Sequence, residues 1–176
     1  METLNRLDTI TEFSSLSVYR NARSMSASKT TNFDFKTNME QTVVQITQEV
    51  VRGLVGIDDP EIRRQFDAVY KVVVTVYEKY RPQFDHLTRE LNSTDMETTL
   101  QSFSGVLDKL FFDGHINYGR VASVLAFAGC LVHHCIRKEI ISSSDVDQIS
   151  QAIGRQLARR LINNQHSLVR ICYYYF

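Results

Sequence analysis

Along most of this chain apolar residues recur at spacings of three and four, the period of a helix with one buried face. The first such stripe begins near Asn38 and runs through Val43, Ile46 or Thr47, Val50 and Leu54, with Gly53 and Gly56 marking its end. A second opens at Asp59-Pro60, a capping residue followed by proline at the first helical position. Ile62, Phe66, Val69, Val73, Val76 and Tyr80 then step by four, three, four, three and four, a period that outweighs the strand propensity of Val72-Val73-Val74-Thr75-Val76. Pro82 cannot donate to the helical ladder and is expected to kink or end that helix, leaving Phe84, Leu87 and Leu91 to a short further piece. Thr94-Asp95-Met96-Glu97 reads as a capping box with Thr94 at the cap, opening a helix with Met96, Leu100, Phe103, Leu107 and Leu110 on one face and Gly114 as its stop. Ser144, with Asp145 and Asp147, caps a last helix striped by Val146, Ile149, Ile153, Leu157 and Leu161, which Asn163-Asn164 breaks.

One stretch departs from this pattern. From Val121 to Val132 every residue except Ser123 is apolar. A helix apolar on all sides lies inside a bundle or a membrane, and a bilayer span needs about 20 apolar residues, so this run predicts a buried central helix. Asn117 is suited to cap it. Arg120 then lies in the first turn, where neither the helix dipole nor desolvation favours a cation, and it calls for an acidic partner. The expected fold class is all-α: six or seven helices, the amphipathic ones surrounding the apolar one.

Composition narrows the function classes. The 176 residues carry 20 Lys+Arg and 20 Asp+Glu, so no bulk charge points to nucleic acid or an anionic membrane. Three cysteines, an odd number, and a polar N-terminus without a signal-peptide pattern predict reduced thiols and a cytoplasmic location. Residues 1–36, rich in Ser, Thr and Asn, read as a flexible extension; 37–168 as the helical domain; and 169–176 as a short aromatic tail. Cys130, His133, His134 and Cys135 lack the further ligand pair that a zinc site needs, so no metal or cofactor is expected. Arg155, Arg159 and Arg160 read as a solvated helix end rather than a lipid site. Phosphate loops, dinucleotide fingerprints and nucleophile elbows are absent, and the chain is expected not to be an enzyme. What is left is recognition: the helical pieces 69–91 and 96–112, separated by the Pro82 interruption, are candidates to splay and receive a partner helix, although their stripes alone read more simply as core.

Phe111-Phe112-Asp113-Gly114-His115-Ile116-Asn117-Tyr118-Gly119-Arg120-Val121 resembles the first homology motif of the Bcl-2 family of apoptosis regulators, Leu-Phe-x-Asp-Gly followed by Asn-Trp-Gly-Arg. Tyr80-Arg81-Pro82-Gln83-Phe84 is similar to the family's Tyr-Arg-Arg-x-Phe, and Leu91-Asn92-Ser93-Thr94 to its Gln-Leu-x-x-Thr; the likeness extends over about Met39 to Leu168. The resemblance implies a Bcl-2-like bundle of about eight helices. Its surface groove would take the amphipathic third-homology (BH3) helix of pro-death relatives. Carried over by position, the groove residues would be Val76, Tyr80, Phe84, Leu87, Val106, Leu110 and Phe127. Arg120 would pair with the ligand's aspartate, Asn117 would hydrogen-bond near it, Gly119 would let the ligand backbone approach closely, and Tyr118 would pack at the groove's end.

The chain departs from the family pattern in three places. Tyr118 stands for the usual Trp. Leu161-Ile162-Asn163-Asn164-Gln165 occupies the second homology motif without its tryptophans and glycines. Val69-Tyr70-Lys71-Val72-Val73-Val74-Thr75 lacks the Gly-Asp of a third-homology motif and should be a poor ligand for another groove. The resemblance therefore implies a sequestering, pro-survival protein. A pro-apoptotic effector that permeabilises the mitochondrial outer membrane is the alternative, as is a helical module with an unrelated partner. Peripheral contact with the mitochondrial membrane, through partners, and a homodimer stay open.

Overall fold

The structure, a computed structural model, describes residues 29–57, 66–91 and 93–163. Within them lie five α-helices and no strand: α1 (Lys29–Val55), α2 (Asp67–Glu90), α3 (Met96–Leu110), α4 (Tyr118–Arg137) and α5 (Val146–Asn163), the last entered through a 3-10 turn, Ser143–Asp145. The Asp59-Pro60 start, Ile62, Asn92, the first 28 residues and the aromatic tail lie outside the described residues.

The apolar run organises the rest, as its composition requires. In α4, Ala122, every residue from Val124 to Val132, and Cys135 are buried. Asn117 caps the helix, its side-chain oxygen accepting the Arg120 amide at 2.8 Å. At 20 residues the whole helix is long and apolar enough to cross a membrane by length and composition, although the run within it is shorter; 61% of that window is buried against the other helices. Around it, α1 packs on α5 and α4, and α2 lies along α4. The α5 stripe expected from its spacing is buried throughout, at Val146, Ile149, Ile153, Leu157 and Leu161.

Several boundaries differ from the sequence expectation. Helix α1 begins at Lys29, before the expected start near Asn38 and inside the stretch read as extension; the low helix propensity of Thr30, Thr31 and Asn32 hides it. It ends as expected at Gly56, whose φ of +79° closes a two-bond cap: Ile57 N–H donates to the Arg52 carbonyl and Gly56 N–H to that of Gly53. Gly53 itself is inside the helix, and the Tyr70 ring fills the place of its missing side chain. Pro82 neither ends nor divides α2, which continues to Glu90. The carbonyl that loses its donor belongs to Glu78, and both residues lie on the exposed side where water can serve it. The cap of α3 is Asp95 rather than Thr94: its carboxylate accepts the Thr98 amide at 2.8 Å while the Thr98 hydroxyl accepts the Asp95 amide at 3.1 Å. A carboxylate answers the positive helix end better than a hydroxyl, and the hydrogen bonds from Thr98 hold it below the usual carboxylate range. Likewise Ser142, not Ser144, heads the turn into α5, its amide and hydroxyl both donating to Asp145.

Candidate functional site

Although consecutive in the chain, α2 and α3 barely touch each other; α3 leans on α5 and α4 instead. Both meet α4, which lies between them. From α3, Phe103 stacks on Phe127 of α4 with centroids 6.3 Å apart and planes 4° from parallel. Phe127 meets Phe84 of α2 at 6.0 Å, and Phe84 meets Tyr80 at 6.4 Å. This aromatic line crosses from one flanking helix to the other through the central one, each pair within the range of favourable ring contact.

The sequence-derived residues fall into three groups around that line. Val76 on α2 and Phe127 on α4 are buried. Tyr80, Phe84 and Leu87 on α2, and Val106 and Leu110 on α3, are only partly buried, packed on the core from below. Asn117, Tyr118, Gly119 and Arg120 form the first turn of α4 and its cap. The resemblance supplied these residues by position; of them Val106 lies in no stripe that spacing alone picks out.

Arg120 has the acidic partner that its position calls for within the chain itself. Nη1 and Nη2 donate to the two oxygens of Asp113 at 2.6 and 2.8 Å, a bidentate pair. Nη1 also donates to the backbone carbonyls of His115 at 2.8 Å and Leu110 at 3.1 Å. Asp113 is held in turn by the His115 amide at 3.0 Å, in a turn that Gly114 completes with a φ of +70°. The Arg120 hydrogen bonds and that amide hold the Asp113 carboxyl far below the usual carboxylate range, while Asp113 pushes the Arg120 guanidinium up. Asp113 was not among the sequence-derived site residues. The signal that could have found it was an arginine in need of an acid, with an aspartate seven residues before it in the same turn. Beside it Phe112, also unassigned by the sequence, is 83% exposed.

Cys130 and Cys135 are otherwise engaged. Cys130 is buried and donates to Asp85 of α2 at 3.4 Å; burial, then Asp85, pushes its thiol up to about 12. Cys135 is buried against the Thr99 hydroxyl at 3.6 Å. Among the described residues, no three His, Cys, Asp or Glu side chains are placed to hold a metal ion. Of the arginines at the end of α5, Arg160 pairs with Asp108 of α3.

A family model, "Apoptosis regulator proteins, Bcl-2 family", matches residues 69–166, more than half of the chain. The chain belongs to the Bcl-2 family. That family is regulatory and non-enzymatic. Among its members, Bcl-2-like protein 1 of pig (Sus scrofa) is 40% identical over 62 residues, and that of chicken (Gallus gallus) 39% over 62 residues. The matched segment is 35% of this chain and 26% of either relative, so the chain spans about a quarter of the length of the curated relatives it matches. Among solved structures, the zebrafish pro-survival protein NRZ, in complex with the Bad BH3 segment, superposes with a TM-score of 0.65 at 17% identity, covering 82% of this chain and 99% of that one. At that identity the likeness is one of fold, and it places the five helices in a Bcl-2 bundle.

Proposed function

We propose that this Bcl-2 family protein restrains apoptosis by sequestering the BH3 helices of pro-death relatives between α2 and α3. The observation that carries this reading is the aromatic line Phe103–Phe127–Phe84–Tyr80 lying across the gap between two helices that barely meet. A partner helix with apolar residues at spacings of three and four would finish burying the exposed parts of Tyr80, Phe84, Leu87, Val106 and Leu110, at about 25 cal/mol per Å² before the costs of association. The zebrafish neighbour is a pro-survival protein whose complex holds a BH3 segment, which supports the same kind of partner here. The sequence of α2 supports the inhibitory side of the family, because Val73 and Val74 stand where an activating helix would offer Gly-Asp. The protein would act in the cytoplasm, reaching the mitochondrial outer membrane through the partners it holds.

The test is calorimetric titration of the native chain and of Phe84→Asp with a panel of BH3 peptides. Tight, selective binding by the native chain, lost in a Phe84→Asp variant that stays helical by circular dichroism, supports the groove. A folded native chain that binds none of the peptides removes the reading, and leakage of liposomes induced by the chain with an activating peptide would reverse its sign.

A further inference from the structure

Resting on the groove reading above, we propose that Asp113 is a self-supplied competitor for the aspartate of an incoming helix, holding Arg120 closed until a ligand carboxylate displaces it. The pair is preorganised. Its members are seven positions apart, the His115 amide fixes the carboxylate, and the Leu110 and His115 carbonyls fix the guanidinium. Little side-chain freedom is left to lose when the contact forms, unlike in most exposed ion pairs. Both side chains are about a quarter exposed, Arg120 at 27% and Asp113 at 26%, so the contact is open to exchange from the solvent side. The two carbonyls keep Arg120 in place when Asp113 leaves.

The consequence is one of specificity. An incoming carboxylate meets a neutral ion pair rather than a lone cation, and its gain is the difference between two arginine–carboxylate contacts, one made and one broken. Discrimination among partner helices then rests on their apolar side chains, and the ligand's aspartate contributes little. Neutralising Asp113 returns the cation to the ligand. Asn at this position keeps an acceptor for the His115 amide and so preserves the turn.

The experiment is a two-by-two titration: native chain and Asp113→Asn, each with one BH3 peptide that binds the native chain and with the same peptide carrying Asn for its aspartate. The aspartate peptide is expected to bind Asp113→Asn roughly three- to tenfold more tightly than native, and the asparagine peptide to bind both alike. Equal or weaker binding of the aspartate peptide to Asp113→Asn overturns the competition while leaving the groove reading intact. If no peptide binds either folded protein, the groove reading falls and the competition with it. A readout free of ligand separates the two: carbon NMR of the Asp113 carboxyl should show it titrating well below the usual range in the native chain and returning toward that range in Arg120→Gln. An ordinary Asp113 titration in the native chain overturns the pair whatever the peptides do.

Discussion

Two helix pairs in this molecule bury their stripes to different depths. Where α1 meets α5 the burial is complete: Val50, Val51, Ile149, Ile153 and Leu157 are at most 1% exposed. Gly154 lets the backbones approach so closely that an added Cβ would lie 2.8 Å from the Val44 Cα. Between α2 and α3 equally regular stripes stop half-buried at Tyr80, Phe84, Leu87, Val106 and Leu110. Each region also has a bidentate Arg–Asp pair. Arg52 and Asp147, 95 residues apart, join α1 to α5 at 2.6 and 2.7 Å. Arg120 and Asp113, seven positions apart, only tie the start of α4 to the loop before it and to the end of α3. The same sequence period thus yields a closed interface in one place and an incomplete one in the other, and incomplete burial is what distinguishes a receptor surface from core.

The largest effects should come from testing that contrast with identical chemistry. Leu157→Ala removes a fully buried side chain and should cost about 2–5 kcal/mol in urea unfolding. Leu87→Ala should cost about 1 kcal/mol or less, because its side chain is partly solvated already, yet it should weaken BH3-peptide binding severalfold. Similar unfolding losses for the two would erase the difference between the faces. The glycines give the next pair. Gly154→Ala forces α1 and α5 apart against backbone and should destabilise by about 1–3 kcal/mol. Gly105→Ala on α3 meets nothing within 4 Å and should stabilise by about 0.5–1 kcal/mol through helix propensity alone.

Smaller still are the charge effects. The Arg52 hydrogen bonds hold the Asp147 carboxyl below its usual range, as Arg120 holds Asp113. A carboxylate whose folded pKa is depressed takes up protons more readily when unfolded. Its stabilisation is therefore present above the unfolded value near pH 4 and is lost as pH falls below it. Arg52→Gln should flatten that acid slope and cost about 1 kcal/mol or less at neutral pH, given that Asp147 is 56% exposed. An unchanged slope would show that the pair does not persist in solution.

How far the sequence could be read follows from the same distinction. The α5 stripe and the α4 run were legible because complete burial tolerates few polar interruptions, leaving a clean period. The start of α1, the passage of α2 through Pro82 and the shift of the cap from Thr94 to Asp95 were not, because exposed backbone and water decide them. The family resemblance identified the fold and the helices that would flank a groove. It did not show Asp113 against Arg120: sequence shows that a cation needs an anion, but a turn folding back on itself determines which one it takes. Reading the ligand as the sole source of that anion missed the contact already made within the chain.

The smallest expected effect tests whether the incomplete face is fixed or opens further. Cys130 lies on α4 against Asp85 of α2, 1% exposed, with a thiol that burial keeps protonated up to about pH 12. Iodoacetamide needs both the thiolate and access, so native chain should show no Cys130 adduct by peptide mass spectrometry, while denaturing urea should reveal it. Saturating BH3 peptide should leave this protection unchanged if the groove proposed above lies between α2 and α3 and the seam between α2 and α4 stays packed. Labelling that rises with peptide would mean that α2 lifts from α4 to admit its partner. The partly buried row on α2 would then mark a moving helix rather than a preformed wall.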